Sequence, residues 1–555
     1  MSLTIERPPA AEAAPPRRRN RLVQRQLEHY PETRARLGYL GIVVAVTVLL
    51  YWQLYVDGGA ATRILRDLHM SFLYFTGLTA IGAAIGAFGS LAAGLADRWG
   101  RANLVAYGVA LTALITLVGF PLCDTKFEFA ACFAVLSLVE GVVLVGTAAL
   151  VRDFSPQVGR GSAMGFWTLG PVLGSLVVTV VASQTLDRYD SWQSQFVICG
   201  IAGAVIAVVA IFFLRELSPN LRDQLMVDLG DRELVEARAH SGEGIQHARG
   251  LRAFGAVAKV RVLGPALGVS LALILYYTLV AFAVVLLATT FGYSESRANG
   301  LVSWYWVTCA VCLVLAGLLS DRLRVRKPFL LAGGLGFAAL TIVFIGKLAD
   351  PTTSYGTLRA LLIGMAAFQS VLYVPWMAAF TETVEDIHPS LVATGLAVWG
   401  WIVRIVICAT FLALPHIVSG VSTLVEAPTP AVLQAQGAKL KAEQTQLEKQ
   451  GAALKLRAAA GADVRREAAT LEQQGASLKA RGAAFQAKVA DLKATATAVP
   501  KGWQTWLWLC VAGQLLFIPL ALLLRGRWSP AAAAADLSRH DVEIDRALAR
   551  ITAEH

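Results

Sequence analysis

The chain has 555 residues, 56% of them hydrophobic and only 16% charged, with a formal net charge of +11 and a mean hydropathy of +0.57. An apolar share this far above that of water-soluble domains excludes an ordinary soluble enzyme or binding module. The basic excess clusters beside apolar runs, so it suits anionic lipid headgroups and not a nucleic acid.

Residues 1–37 form an Arg-rich tail without a short apolar core and cleavage site, so the tail is expected to stay on the protein. Twelve apolar runs follow, each of roughly the 18 to 25 residues needed to cross about 30 Å of hydrocarbon. They cover 38–56, 71–95, 104–122, 129–150, 162–183, 194–214, 265–290, 299–319, 329–347, 357–380, 392–414 and 503–524. The expectation is an all-α, multi-pass protein of the plasma membrane. With the N-terminus inside, the tail holds eight Arg and the loop between runs six and seven holds eight Lys or Arg, against five in the short outer loops together. Both termini are therefore expected on the cytoplasmic side.

The chain repeats itself. "GLADRWGR" after run two recurs as "GLLSDRLR" after run eight, "DFSPQVGRG" after run four as "DIHPSLVATG" after run ten, and "LRELSP" after run six as "LRGRWSP" after run twelve. Three matches at equivalent places imply two six-helix halves in parallel orientation, 38–214 and 265–414 with 503–524. A linker at 215–264, read as short amphipathic helices on the inner surface, joins them, and 525–555 is a second cytoplasmic tail. The insertion at 415–502 carries a heptad beat at Leu440, Leu447 and Leu454, resumed at Leu471, Leu478, Phe485 and Leu492. This predicts an extramembrane helical hairpin between helices 11 and 12, turning near Gly461, with Gly451 and Gly475 weakening its arms. Covering the outer mouth, docking an envelope partner and dimerising are its readings.

These residues resemble the major facilitator superfamily. Its loop signature after the second helix, G-x-x-x-D-R-x-G-R-[RK], is met at Asp97, Arg98, Gly100 and Arg101, with Ala93 and Ala102 departing from it. In the second half Gly317, Asp321 and Arg322 match, and Arg324 stands where a Gly is usual. The resemblance covers nearly all of the chain outside the tails and the insertion. It implies alternating access between two halves, with these loop residues as a conformational latch.

Ionisable groups at bilayer depth are costly and mark function. Glu140, in the middle of run four, is read as a proton-coupling residue. Arg404, in the middle of run eleven, is read as a buried cation that holds a substrate anion or Glu140 itself. Tyr51, Trp52, Gln53, Tyr276, Tyr277, Gln369 and Tyr373 lie on runs that line the central cavity in the resembled family, and are read as its walls. Asp57 reads as a solvated boundary charge. Cys309 and Cys312 share a C-x-x-C spacing without further ligands, so no metal site is expected, and nothing implies a cofactor.

The functional expectation is a secondary active transporter, proton-coupled, for a small organic solute. "GFWTLGPVLGS", with Gly170, Pro171 and Gly174, is similar to a signature of drug/proton antiporters, although Ser137 stands where those carry an Arg; it points to efflux of drugs or lipid-like compounds. The D-x-x-P and "RELSP" loops instead resemble those of sugar and organic-acid porters. A different class, a non-transporting receptor or scaffold, would work through the outer hairpin. An enzyme is not expected, because no nucleotide loop, metal cluster or nucleophile motif is visible.

Overall fold

The computed structural model describes residues 25–91, 99–155, 169–219, 221, 251–387, 391–428, 430–460, 463, 465–532, 534–535 and 542. Among them, twelve helices are long and apolar enough to cross a membrane. The first six are Thr33–Gly59, Phe72–Gly89, Arg101–Leu122, Lys126–Phe154, Gly170–Tyr189 and Gln193–Phe213. The second six are Val260–Phe291, Glu295–Leu323, Lys327–Leu348, Tyr355–Glu385, Thr394–Ile417 and Arg465–Ala521. They are spans 1 to 12 in chain order.

The repeat read from loop motifs is a repeat of packing. Span 2 lies on span 4 as span 8 lies on span 10; span 3 lies on span 6 as span 9 lies on span 12; span 1 meets span 6 as span 7 meets span 12. Between halves the pairs exchange partners, span 2 against span 11 and span 8 against span 5, with span 1 facing span 7. That exchange is what a pseudo-two-fold relation between the halves requires.

Hydropathy alone misjudged several boundaries. Span 1 starts at Thr33, before its apolar run, and the preceding Gln26–Leu27 pairs in parallel with Glu216–Leu217 after span 6. This small strand pair is an addition to the all-α expectation. The buried Arg25 anchors it, donating to the Ala210 carbonyl at 2.9 Å and lying over the Tyr107 ring. Span 3 ends in a π turn, Ile115–Gly119, and a 3-10 turn, Phe120–Leu122. Span 7 is interrupted at Leu273, between Val260–Ala272 and Ile274–Phe291. Of the linker, 222–250 lies outside the described residues; Leu251–Val257 is helical.

The insertion is a hairpin, but its second arm is not a separate element. Pro430–Ala459 is the first arm, and the second is part of one helix, Arg465–Ala521, that runs on into the membrane as span 12. Its 57 residues extend about 85 Å at 1.5 Å per residue. Ala, Lys, Gln and Glu favour helix as strongly as Leu does, so the helix continues where hydropathy stops. The arms pack in one register. An added Cβ at Gly437 would stand 3.4 Å from Phe485, at Gly451 3.5 Å from Leu471, and at Gly475 3.5 Å from Leu447. Ion pairs Arg457–Glu467 at 2.6 Å and Arg481–Glu443 at 2.8 Å flank them. All five pairs centre on residue 461 or 462, so the near repeats "LEKQGAALKLRA" and "LEQQGASLKARG" face each other as Leu on Gly and Gly on Leu. The seam glycines therefore receive the opposite arm's leucines, a role the propensity argument did not foresee.

A methyl group at either seam glycine meets its leucine at ordinary contact distance. Gly451→Ala with Gly475→Ala is expected to gain about 1 kcal/mol each from helix propensity, slowing amide exchange in the arms about fivefold per substitution. Unchanged or faster exchange would show that the arms do not pack in this register.

Candidate functional site

The end of the molecule that carries the hairpin holds the two halves together. Span 8 begins there with Glu295, 6% exposed, whose carboxylate accepts from the Arg63 backbone N–H at 2.8 Å and from the Thr62 hydroxyl. The Arg63 guanidinium lies 2.6 Å from Glu295 and 2.8 Å from Asp190. One turn on, Asn299 Nδ2 donates to the Gly59 carbonyl at 2.8 Å. Beside them spans 1 and 7 approach so closely that a Cβ at Gly58 would lie 2.7 Å from the Val280 carbonyl oxygen. Ser422, at the base of the hairpin, accepts from the Phe72 N–H at 2.8 Å, and Phe72 and Phe75 pack edge-on against Phe282. Asp57 belongs to this seal: it is 6% exposed and accepts from the Gly58 N–H at 2.9 Å, so it is not a solvated boundary charge. The halves close over it, which no local pattern reveals.

Deeper in the membrane the predicted site residues divide into two groups. Tyr51 and Tyr55, one helical turn apart on span 1, share a face, with their tilted rings 5.6 Å apart. The charge of Arg404, on span 11, acts on both hydroxyls and on that of Tyr277 on span 7; Tyr373 on span 10 is in turn influenced by Tyr51 and Tyr277. The hydroxyls of Tyr51, Tyr55 and Tyr277, from both halves, thus lie in the field of a half-buried guanidinium that has no hydrogen-bond or ion-pair partner among the described residues. Tyr373, Trp376 and Trp399 form an aromatic wall beside them. Trp399 was not among the predicted site residues, and nothing local signals it.

Gln53, Tyr276 and Gln369 turn into the walls instead. Gln53 lies opposite Tyr51 on span 1 and donates to Thr116 at 3.2 Å. Gln369 accepts from the Tyr305 hydroxyl, and Tyr276 packs edge-on against Trp306. Trp52 is half-buried against the apolar cores on both sides. Residues two apart on a helix point in nearly opposite directions, so a run of polar aromatics cannot all face one cavity.

Glu140 is 2% exposed and neither carboxylate oxygen has a hydrogen-bond partner among the described residues, so it is not paired with Arg404. It acts electrostatically on Tyr51, Tyr55 and Cys199, and Asp57 acts on it. The hydroxyl of Ser137, one turn before it, is likewise unpartnered. Glu140 and Arg404 thus lie in opposite halves with Tyr51 and Tyr55 in the field of both.

At the end carrying the tails, the loop signature is built into caps within each half. Asp97 and Arg98 lie outside the described residues. Gly100 has φ +87°, and Glu216 reaches into the space a side chain there would fill, accepting from the Arg101 N–H at 2.5 Å and the Ala102 N–H at 3.3 Å. A carboxylate thereby caps the positive end of span 3. The Arg101 guanidinium grips Asp153 of the D-x-x-P motif at 2.7 Å. In the second half Asp321 pairs with Arg326 at 2.7 Å, and Arg326 also reaches Glu382 at 3.1 Å. Burial works against the Arg326 charge, but Asp321 and Glu382 outweigh it and raise its pKa. Arg324 takes a left-handed φ of +54°, which is why Gly is usual there. Asp386 of the second D-x-x-P pairs with Arg525 at 2.7 Å. Arg322 is exposed, and Gly317 abuts Val374. Arg326 and Glu216 were not visible in the loop signature.

Two pseudo-symmetric six-span halves with charged groups at their junction define a class of multi-pass membrane protein. Residues 43–278 match the model of the Major Facilitator Superfamily. It is 25% identical to the alpha-ketoglutarate permease of Escherichia coli (strain K12) over 294 residues, 50% of this chain and 63% of that protein. To the gentisate transporter of Corynebacterium glutamicum it is 30% identical over 187 residues, 32% and 39% of the two chains. The chain thus spans less than two thirds of both relatives. In fold it is similar to a bacterial homologue of the human lysosomal transporter Spinster in an inward-facing, unoccupied conformation, with a TM-score of 0.59 at 15% identity over 89% of this chain and 98% of that one. A D-xylose-proton symporter gives 0.51 at 18% identity over 68% and 90%.

Two substitutions test this geometry. Glu295→Gln removes a charge from a buried inter-half pair, a loss worth roughly 3–5 kcal/mol that falls on the hairpin-closed state alone. Spin labels at the exposed Asp67 and Glu426 should then gain a longer-distance population; an unchanged distance distribution would show that the clamp does not hold the halves. Gly100→Ala forces a side chain into a Gly-only conformation at a cost of about 1–3 kcal/mol, and the thermal midpoint should fall.

Proposed function

We propose that the protein is a proton-coupled secondary transporter for a small organic anion, working by alternating access with both termini in the cytoplasm. The observation that carries this reading is Arg404, a half-buried cation in the middle of span 11 without a partner among the described residues. A charge at that depth is expensive unless it meets an opposite one, and a carboxylate fits its planar fork. The tyrosine hydroxyls of both halves supply further hydrogen bonds, so an occupied site ties span 1 to spans 7, 10 and 11. Glu140, unpaired and enclosed in the first half, takes and releases the coupling proton without touching the solute.

The names of the two curated relatives, one a permease for a dicarboxylate and one a transporter of an aromatic acid, agree with an anionic solute. The element behind the efflux reading has a packing role here: a Cβ at Gly174 would stand 2.6 Å from Tyr51, so the small residues let span 5 lie against span 1. The second arm is continuous with span 12, with Pro500 near their junction, and the base of the hairpin at Ser422 touches the first half.

The test is transport by the purified protein in sealed vesicles, with alpha-ketoglutarate, gentisate, xylose and a cationic dye as separate solutes. Arg404→Ala should weaken anion transport by about tenfold to a hundredfold, the worth of a charge-assisted hydrogen bond. Glu140→Gln should abolish proton-driven accumulation while leaving solute exchange across the membrane. Anion transport untouched by Arg404→Ala would remove the anion reading, and net accumulation by Glu140→Gln would remove the coupling role. Exchange of no solute would favour a receptor or scaffold acting through the hairpin.

A further inference from the structure

We infer that Cys123 and Cys132 are a redox-responsive dithiol, a modification site at the hairpin end of the first half that closes to a disulfide under oxidising conditions. Their sulfurs lie 3.7 Å apart, although nine positions separate them in the chain and no C-x-x-C motif marks them. The fold makes this encounter in two ways. Span 3 widens into the π turn Ile115–Gly119 and then tightens into Phe120–Leu122, which carries Cys123 over the start of span 4. Gly119, without a side chain, leaves the space that the Cys132 sulfur occupies: a Cβ there would stand 3.3 Å from it. The Cys123 thiol also donates to the Gly119 carbonyl at 3.3 Å, which holds it in place. By contrast the Cys309 sulfur of the C-x-x-C motif is directed to the Ala366 carbonyl of span 10.

The two thiols differ in access. Cys123 is 4% exposed, whereas Cys132 is half-buried. Burial, reinforced by the neighbouring Cys132 sulfur, pushes the Cys123 thiol up to about 12 and keeps it protonated near neutrality. Cys132 is therefore the group that attacks an external small-molecule disulfide, breaking its S–S bond, releasing one reduced thiol and leaving a mixed disulfide. Cys123 then attacks the Cys132 sulfur and expels the second reduced thiol; each protein thiol gives up its proton to solvent or to a leaving thiolate. Two protein S–H bonds become one S–S bond, and one external disulfide is reduced to two thiols. The product staples the end of span 3 to span 4, eight residues before Glu140.

The experiment uses the full-length protein in membranes, exposed to oxidised or reduced glutathione, alkylated, digested and mapped by mass spectrometry. The expected product is a peptide pair linked through Cys123 and Cys132 that disappears on reduction, forms faster as pH rises, and is absent in Cys132→Ser. In that variant Cys123 should stay unmodified. If both cysteines remain alkylated after oxidation, or a glutathione adduct persists on Cys132 without closing, the inference is overturned. A link between Cys309 and Cys312 in place of the Cys123 link would overturn it too.

Discussion

Hydrocarbon offers no hydrogen-bond partners, and the whole arrangement of this protein follows from how its polar groups are met inside the membrane. Most are met locally: Thr47, Ser270, Thr278, Thr341 and Ser370 each return their hydroxyl to the carbonyl four residues earlier, at 2.7 to 2.8 Å. Others are met across helices, as Trp503 and Trp506 of span 12 are by Thr289 and Thr278 of span 7. Against that background a carboxylate without a hydrogen bond and a guanidinium without a counter-charge among the described residues stand out. Glu140 and Arg404 are left open in opposite halves, and the hydroxyls of Tyr51 and Tyr55 lie in the field of both.

The same constraint explains the clamp. Glu295 and Arg63 can be buried only because each meets the other, with Thr62, the Arg63 N–H and Asp190 completing the set. At the other end the charges are arranged differently: Arg101 with Asp153, and Arg326 with Asp321 and Glu382, tie helices of one half to each other. These pairs tie each half together as a unit.

The hairpin joins this system through covalent continuity. The second arm and span 12 are one helix, Arg465–Ala521, with Pro500 near their junction. The glycine-leucine seam keeps the first arm on the second, and Ser422 at its base caps the start of span 2 in the first half. A hydropathy scan divides this helix at residue 503 because it measures transfer to hydrocarbon, whereas the backbone responds to helix propensity.

Twelve spans, two halves and a hairpin could be read from the chain because they depend on composition, period and repetition, properties carried by neighbouring residues. Glu140 and Arg404 could be singled out for the same reason: a lone charge in an apolar run is visible without its surroundings. The meeting of Glu295 with Arg63, of Glu216 with the start of span 3, and of Cys123 with Cys132 depends on which helices lie side by side and how far each is rotated. So does the division of the polar aromatics, with Tyr51, Tyr55, Tyr277 and Tyr373 grouped at the junction of the halves and Gln53, Tyr276 and Gln369 turned into its walls. Sequence determined what could enter the membrane and how often; only tertiary structure decided which face of each helix looks inward, because rotation about a helix axis is set by the neighbours and by nothing within the helix.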